Sequence, residues 1–114
     1  MKLRIYGIRN CDTMKKAFAW LDSHKMAYDF HDHKKAGVPP GKLEEWAAKV
    51  GWEKLVNARG PTWRKIPESR KSQLDEKRAL GLLAENPSAI RRPIVEAGPR
   101  LVVGFDPAEF EALR

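Results

Sequence analysis

The sequence predicts an α/β fold, and three neighbouring stretches carry that expectation. "KLRIY", residues 2–6, alternates basic and apolar side chains, so Leu3 and Ile5 share one face of a strand. From Met14 the period lengthens, and Met14, Ala17, Phe18 and Leu21 fall at helical spacing. "MAYDFHD" then returns to period two, with Met26, Tyr28 and Phe30 on one side. A strand, a helix and a second strand within about 30 residues make a βαβ unit, whose crossover is nearly always right-handed.

The rest of the chain reads in order. "KKAGVPPG" is a loop, marked by two prolines and two glycines. Leu43, Trp46, Ala47 and Val50 form another helical stripe that stops at Gly51, and residues 52–58 add a short helix. "RGPTWRKIP" reads as irregular. Residues 72–85 read as helix, with Ser72 and Asp75 spaced as a capping box. "ENPSAIRRP" leads to Pro93, and "PIVEAGPRLVV" reads as two strands joined at "AGP". Asp106 as N-cap, Pro107 at N1 and Glu109 at N3 start a last helix. The order β-α-β, a helical insertion over about residues 38–90, then β-β-α is the thioredoxin-like arrangement. It is expected as a single domain over residues 1–114.

Composition narrows the function classes. A chain of 114 residues suits one core. One cysteine excludes an internal disulfide framework and a cysteine-built zinc site. "MKLRIYG" is too short and polar for a signal peptide, and no apolar run approaches the about 18 residues of a spanning helix. The expectation is a soluble protein of a reducing cytoplasm, not attached to a membrane. The net charge of +7, from 22 basic and 15 acidic residues, is spread along the chain. No nucleic-acid-binding signature accompanies it, so a small anionic ligand suits it as well as a polyanion.

Chemistry centres on Cys11, in the turn between the first strand and the first helix. Unpaired amides at a helix start stabilise a thiolate and lower its pKa below the about 8.5 of free cysteine. Arg9, Lys15 and Lys16 add positive charge, while Asp12 opposes it unless it faces solvent. Asn10, Asp12 and Thr13 can cap the helix or bond locally. A lone cysteine is often a buried, inert hydrophobe. This one precedes the apolar stripe instead of lying on it, has polar neighbours, and sits at a helix N-terminus. Met14 occupies the second position of a C-x-x-C motif, so a nucleophilic Cys11 needs a thiol from another molecule. Glutathione, abundant and anionic, is the expected one.

The remaining residues are weighed against plain structural roles. "HDH" resembles a metal fragment, but nothing else at ligand spacing supports it, and no metal is expected. His24, His31 and His33 therefore read as exposed or structural. Trp20, Trp46 and Trp52 read as core or groove-edge aromatics, and Trp63 as packing sooner than pocket lining. In a thioredoxin-like fold a cis-proline opens the third strand facing the nucleophile, and Pro93 holds that place. Arg92 or Arg91 would then lie near Cys11, as would Arg59 in "NARGP". An arginine's planar fork suits an oxyanion or carboxylate.

With these residues placed, the chain resembles the ArsC-like arsenate reductase family, YffB-type subgroup, almost end to end. "YGIRNCDTMKKA", "NARGPTWRK" and "AIRRPIVEAG" carry the resemblance in the right order. It implies a thioredoxin-like fold with a helical insertion, Cys11 as nucleophile, and glutathione used directly or with glutaredoxin. Arg59 and Arg92 match two of the three arginines that hold the oxyanion in glutathione-linked arsenate reductases. The third has no match, since Gly104 stands just after the hairpin. No histidine precedes the cysteine. Both departures count against arsenate. The related Spx regulators bind RNA polymerase instead. The expected function is a glutathione-dependent thiol reductase, with Asn10, Thr13, Arg59, Arg92 and Pro93 around Cys11. Arsenate reduction and an Spx-like binding module are the alternatives.

Overall fold

A computed structural model describes residues 2–114. Four strands form one mixed sheet: β1 Leu3–Gly7, β2 Tyr28–Asp32, β3 Ile94–Ala97 and β4 Arg100–Val103, in the order β2-β1-β3-β4. The first two strands are parallel, with Leu3 opposite Tyr28 and Gly7 opposite Asp32. The other two pairings are antiparallel, aligning Tyr6 with Ile94 and Ile94 with Val103. The helix α1 Asp12–Ser23 makes the crossover between β1 and β2. This is the thioredoxin-like fold that the sequence predicts.

Period-two alternation sends side chains to two separate cores. On one face Leu3, Ile5, Val95, Ala97 and Val102 meet Met14, Ala17 and Leu21 of α1. Phe110 of α8 Pro107–Glu111 joins them. On the other face Tyr6, Ile94 and Val103 meet the helices inserted between β2 and β3. Those are α2 His33–Ala36, α3 Lys42–Val50, α4 Trp52–Leu55, α5 Pro61–Lys65, α6 Glu68–Lys71 and α7 Glu76–Glu85. A 3-10 turn, Pro87–Ala89, follows them.

Most elements form where the residues place them, and three differ. Lys34, Lys35 and Ala36 are helical instead of loop, because the Asp32 carboxylate accepts the Lys34 amide at 2.8 Å and starts α2. "PTWRK" is helical instead of irregular. Pro61 presets the first turn, and Trp63 and the following Ile66 are buried. Residues 72–85 do not form one helix. Ser72 ends α6, Gln73 takes a left-handed φ of 56°, and Asp75 caps α7 by accepting the Arg78 amide at 2.8 Å. The cap thus begins at Asp75, not Ser72.

Candidate active site

Cys11 occupies the N-cap of α1 in extended conformation, and its carbonyl accepts the Lys15 amide at 2.9 Å. Its placement follows from packing beneath it. Met14 is fully buried, and the absence of a side chain at Gly7 makes room for it. A Cβ at Gly7 would come within 2.6 Å of the Met14 sulfur and 3.4 Å of the Arg92 Cβ. Met14, at the second position of the C-x-x-C spacing, therefore fixes the first turn against the sheet.

Arg92 approaches the thiol from β3's leading edge. Its Nε donates to Cys11 Sγ at 3.2 Å, and its Nη1 donates to the Ser88 carbonyl at 2.8 Å. The Arg92–Pro93 peptide bond is cis. Burial pushes the Cys11 pKa up, but the Arg92 hydrogen bond and charge, with the Met14 and Thr13 amides, outweigh it and leave the thiol more acidic than usual. The Cys11 side chain makes no standard cap hydrogen bond, and the helix start adds its partial positive charge at the thiol. Asp12 is exposed.

The thiol opens on a cleft of about 520 Å³. Thr13, Arg91, Arg92 and Gly104 line it as well. Lys54 and Asn57, which the sequence did not single out, belong to it too. A short bridge explains their presence: Val56 pairs with Ile90, the Asn57 amide donates to Ala89 O at 2.8 Å, and the Arg91 amide donates to Leu55 O at 2.7 Å. This joint carries residues 54–57 to the edge of the site. Gly60 leaves space for the Asn57 side chain, because a Cβ there would come within 2.6 Å of Asn57 Nδ2. The "NARG" motif therefore delivers Asn57 to the cleft. Arg59 and Asn10 are exposed and do not line it. Trp63 is buried in the insertion-side core.

A second polar group of the sheet lies on the insertion side. Glu96 accepts from Tyr6 Oη at 2.9 Å, Lys42 Nζ at 2.8 Å and Trp46 Nε1 at 2.9 Å. Burial pushes its pKa up, yet Lys42 and the other two donors hold it below the usual carboxylate range. His33 is buried beside this cluster, and neither ring nitrogen has a partner. Burial, followed by the nearby His31, brings its pKa down to about 4, so the ring is neutral near pH 7. Among the described residues, no three His, Cys, Asp or Glu side chains converge as a metal set requires.

A thioredoxin-like sheet with a helix-start cysteine, an arginine on its sulfur and a cis-proline following that arginine defines a class of thiol-bearing proteins. Residues 6–113 match the ArsC family, and this chain belongs to that family. A solved protein named YFFB is 48% identical, covers 97% of each chain and superposes with a TM-score of 0.94. An arsenate reductase (ArsC) related protein from Brucella melitensis is 46% identical over 98% of this chain and 93% of its own, with a TM-score of 0.79. The global transcriptional regulator Spx of Streptococcus agalactiae is 28% identical, covering 90% of this chain and 76% of the regulator.

Proposed function

We propose that the chain is a thiol reductase that uses Cys11 as a single nucleophile and glutathione as external reductant. The observation that carries this reading is the Arg92 Nε–Cys11 Sγ contact of 3.2 Å at the mouth of a cleft, with no second cysteine in the chain. The Cys11 thiolate attacks one sulfur of a substrate disulfide. A Cys11–sulfur bond forms as the substrate S–S bond breaks, and the departing thiolate takes a proton. One glutathione displaces the retained half as a second thiol and becomes linked to Cys11. A second glutathione attacks that mixed disulfide, freeing the Cys11 thiolate and leaving as glutathione disulfide. Two electrons thus pass from two glutathiones to one disulfide. Glutaredoxin can serve as the resolving thiol in the same role.

The surrounding residues support each step. Arg92, held at its far end by Ser88, lowers the thiol's pKa and so favours the thiolate, and the Thr13 and Met14 amides stabilise the thiolate as it leaves. Pro93 fixes the turn that carries Arg92, and its carbonyl accepts the Gly104 amide at 2.8 Å. Arg59 would reach a ligand only where it extends beyond the cleft.

The test is the pH dependence of Cys11 alkylation, with and without glutathione. We expect a midpoint below the about 8.5 of free cysteine, protection by glutathione, and a higher midpoint in Arg92→Ala. Cys11→Ser should abolish disulfide reduction, and retained turnover in that variant would overturn the mechanism. Arsenate reduction is the second reading. The additional cation Arg91 beside Gly104, where the family's third arginine is missing, favours it. Arsenate-dependent oxidation of glutathione measures it directly. An unreactive Cys11 together with a stable RNA polymerase complex would instead support the Spx-like module.

A further inference from the structure

The Cys11 cleft is lined by charges of both signs. Lys54 enters from α4 and Arg91 from the turn before β3, while Asp106 and Glu109 enter at the start of α8. Arg92 is already engaged with Cys11 and Ser88, and one Asp106 oxygen caps the Ala108 amide at 2.9 Å. Lys54, Arg91 and Glu109 differ: among the described residues, none is within ion-pair distance of an opposite charge. They face one cleft and yet stand too far apart to pair with each other.

Arg91 owes its place to two backbone features. Its amide is tied to Leu55 O, and its Cδ lies 3.7 Å from where a side chain at Gly104 would begin. Gly104 has a φ of +87°, a conformation that disfavours any side chain. The arginine thus lies across the segment that leads from β4 into α8.

This charge layout separates ligand classes. A site for a multiply charged oxyanion alone would gain from Lys54, Arg91 and Arg92 but lose to Asp106 and Glu109, which repel it. A ligand that carries a carboxylate and an ammonium uses both sets. The volume of about 520 Å³ is in the range of small-molecule sites. We propose that the cleft binds the free amino-acid end of the reductant thiol: Arg91 and Lys54 take its α-carboxylate, and Glu109, with the free oxygen of Asp106, takes its α-ammonium. The ligand class is a thiol bearing an unblocked γ-glutamyl group. This rests on the thiol-reductase reading and adds to it the residues that choose the thiol.

The experiment compares two disulfides, that of glutathione and that of N-acetylglutathione, in which a neutral acetamide replaces the ammonium. In both cases the Cys11 thiolate attacks one sulfur, a Cys11–S bond replaces the S–S bond, and one thiolate is released and protonated by water. Intact mass spectrometry follows the mixed disulfide with time. We expect the native chain to react about tenfold faster with glutathione disulfide, the size of one charge-assisted hydrogen bond. Glu109→Gln should bring the ratio close to one, since the exposed carboxylate is removed while its shape is kept. Equal rates in the native chain would overturn the ammonium site and leave the reductase reading standing. A ratio that survives Glu109→Gln would overturn the assignment of Glu109. No reaction of Cys11 with either disulfide would overturn the reductase reading and this site with it.

Discussion

The two faces of the sheet are built on different principles. The face under α1 and α8 is a dry core of aliphatic and aromatic side chains, with Ile5, Met14, Leu21, Val95 and Phe110 fully buried. The face under the inserted helices is held by Trp46, Leu83 and Ile94, but also contains the Glu96 cluster and the unpartnered His33. One face is stabilised by burial alone, about 1.5–3 kcal/mol for each large side chain. The other adds charges whose worth depends on every partner being present. Cys11 stands at the end of the dry face, while Arg92 reaches it from the turn before β3.

That difference can be tested most strongly at Glu96. Glu96→Ala leaves Lys42, Tyr6 and Trp46 donors without their shared acceptor, and we expect a loss of about 3 kcal/mol in urea unfolding. A loss below about 1 kcal/mol would show that the cluster does not fasten the helices to the sheet.

Acid comes next, through His33. Its native pKa of about 4 is below the unfolded value of 6.5, so between those values the unfolded chain binds more protons. Stability therefore falls as pH drops from about 6.5 to about 4, by roughly 3 kcal/mol in total. Glu96, with its depressed pKa, adds a loss in the same direction as pH falls through the carboxylate range. His33→Phe should flatten the first part of this dependence, and a stability profile from pH 7 to 4 unchanged from the native chain would remove His33 as its cause.

The smallest effect is expected on the dry side. Gly7→Ala drives a methyl into the Met14 thioether, a contact of 2.6 Å that the flexible end of the side chain can partly relieve. We expect about 1 kcal/mol, read as a shift in the urea midpoint. A loss as large as that of Glu96→Ala would mean that the dry face is the less forgiving of the two.

These regions were also unequally legible. The period of Leu3 and Ile5, and then of Met14, Ala17 and Leu21, describes the dry face because both patterns are local and both elements bury one side. The N-cap at Asp106 was legible for the same reason: it depends on residues one and two places away. The split between α6 and α7 was less so, because it turns on the left-handed backbone of Gln73. Glu96 reads in the sequence only as one residue of a hairpin, and its three partners lie 50 to 90 residues away along the chain, at Lys42, Trp46 and Tyr6.

The same division holds at the site. The strand–cysteine–helix junction, the lack of a second cysteine and the proline at the head of β3 are all readable in the chain itself, from its composition and from neighbouring residues. Which cations share the cleft follows from long-range packing alone. Arg92 reaches Cys11 across 81 residues, Asn57 replaces Arg59 as the cleft-lining member of "NARG", and Lys54, Arg91 and Glu109 meet around one space. The reason is physical: a helix start and a hydrophobic stripe are set by local hydrogen bonds and periodicity, whereas the pairing of Val56 with Ile90 and the room left at Gly60 and Gly104 exist only once distant segments are packed together.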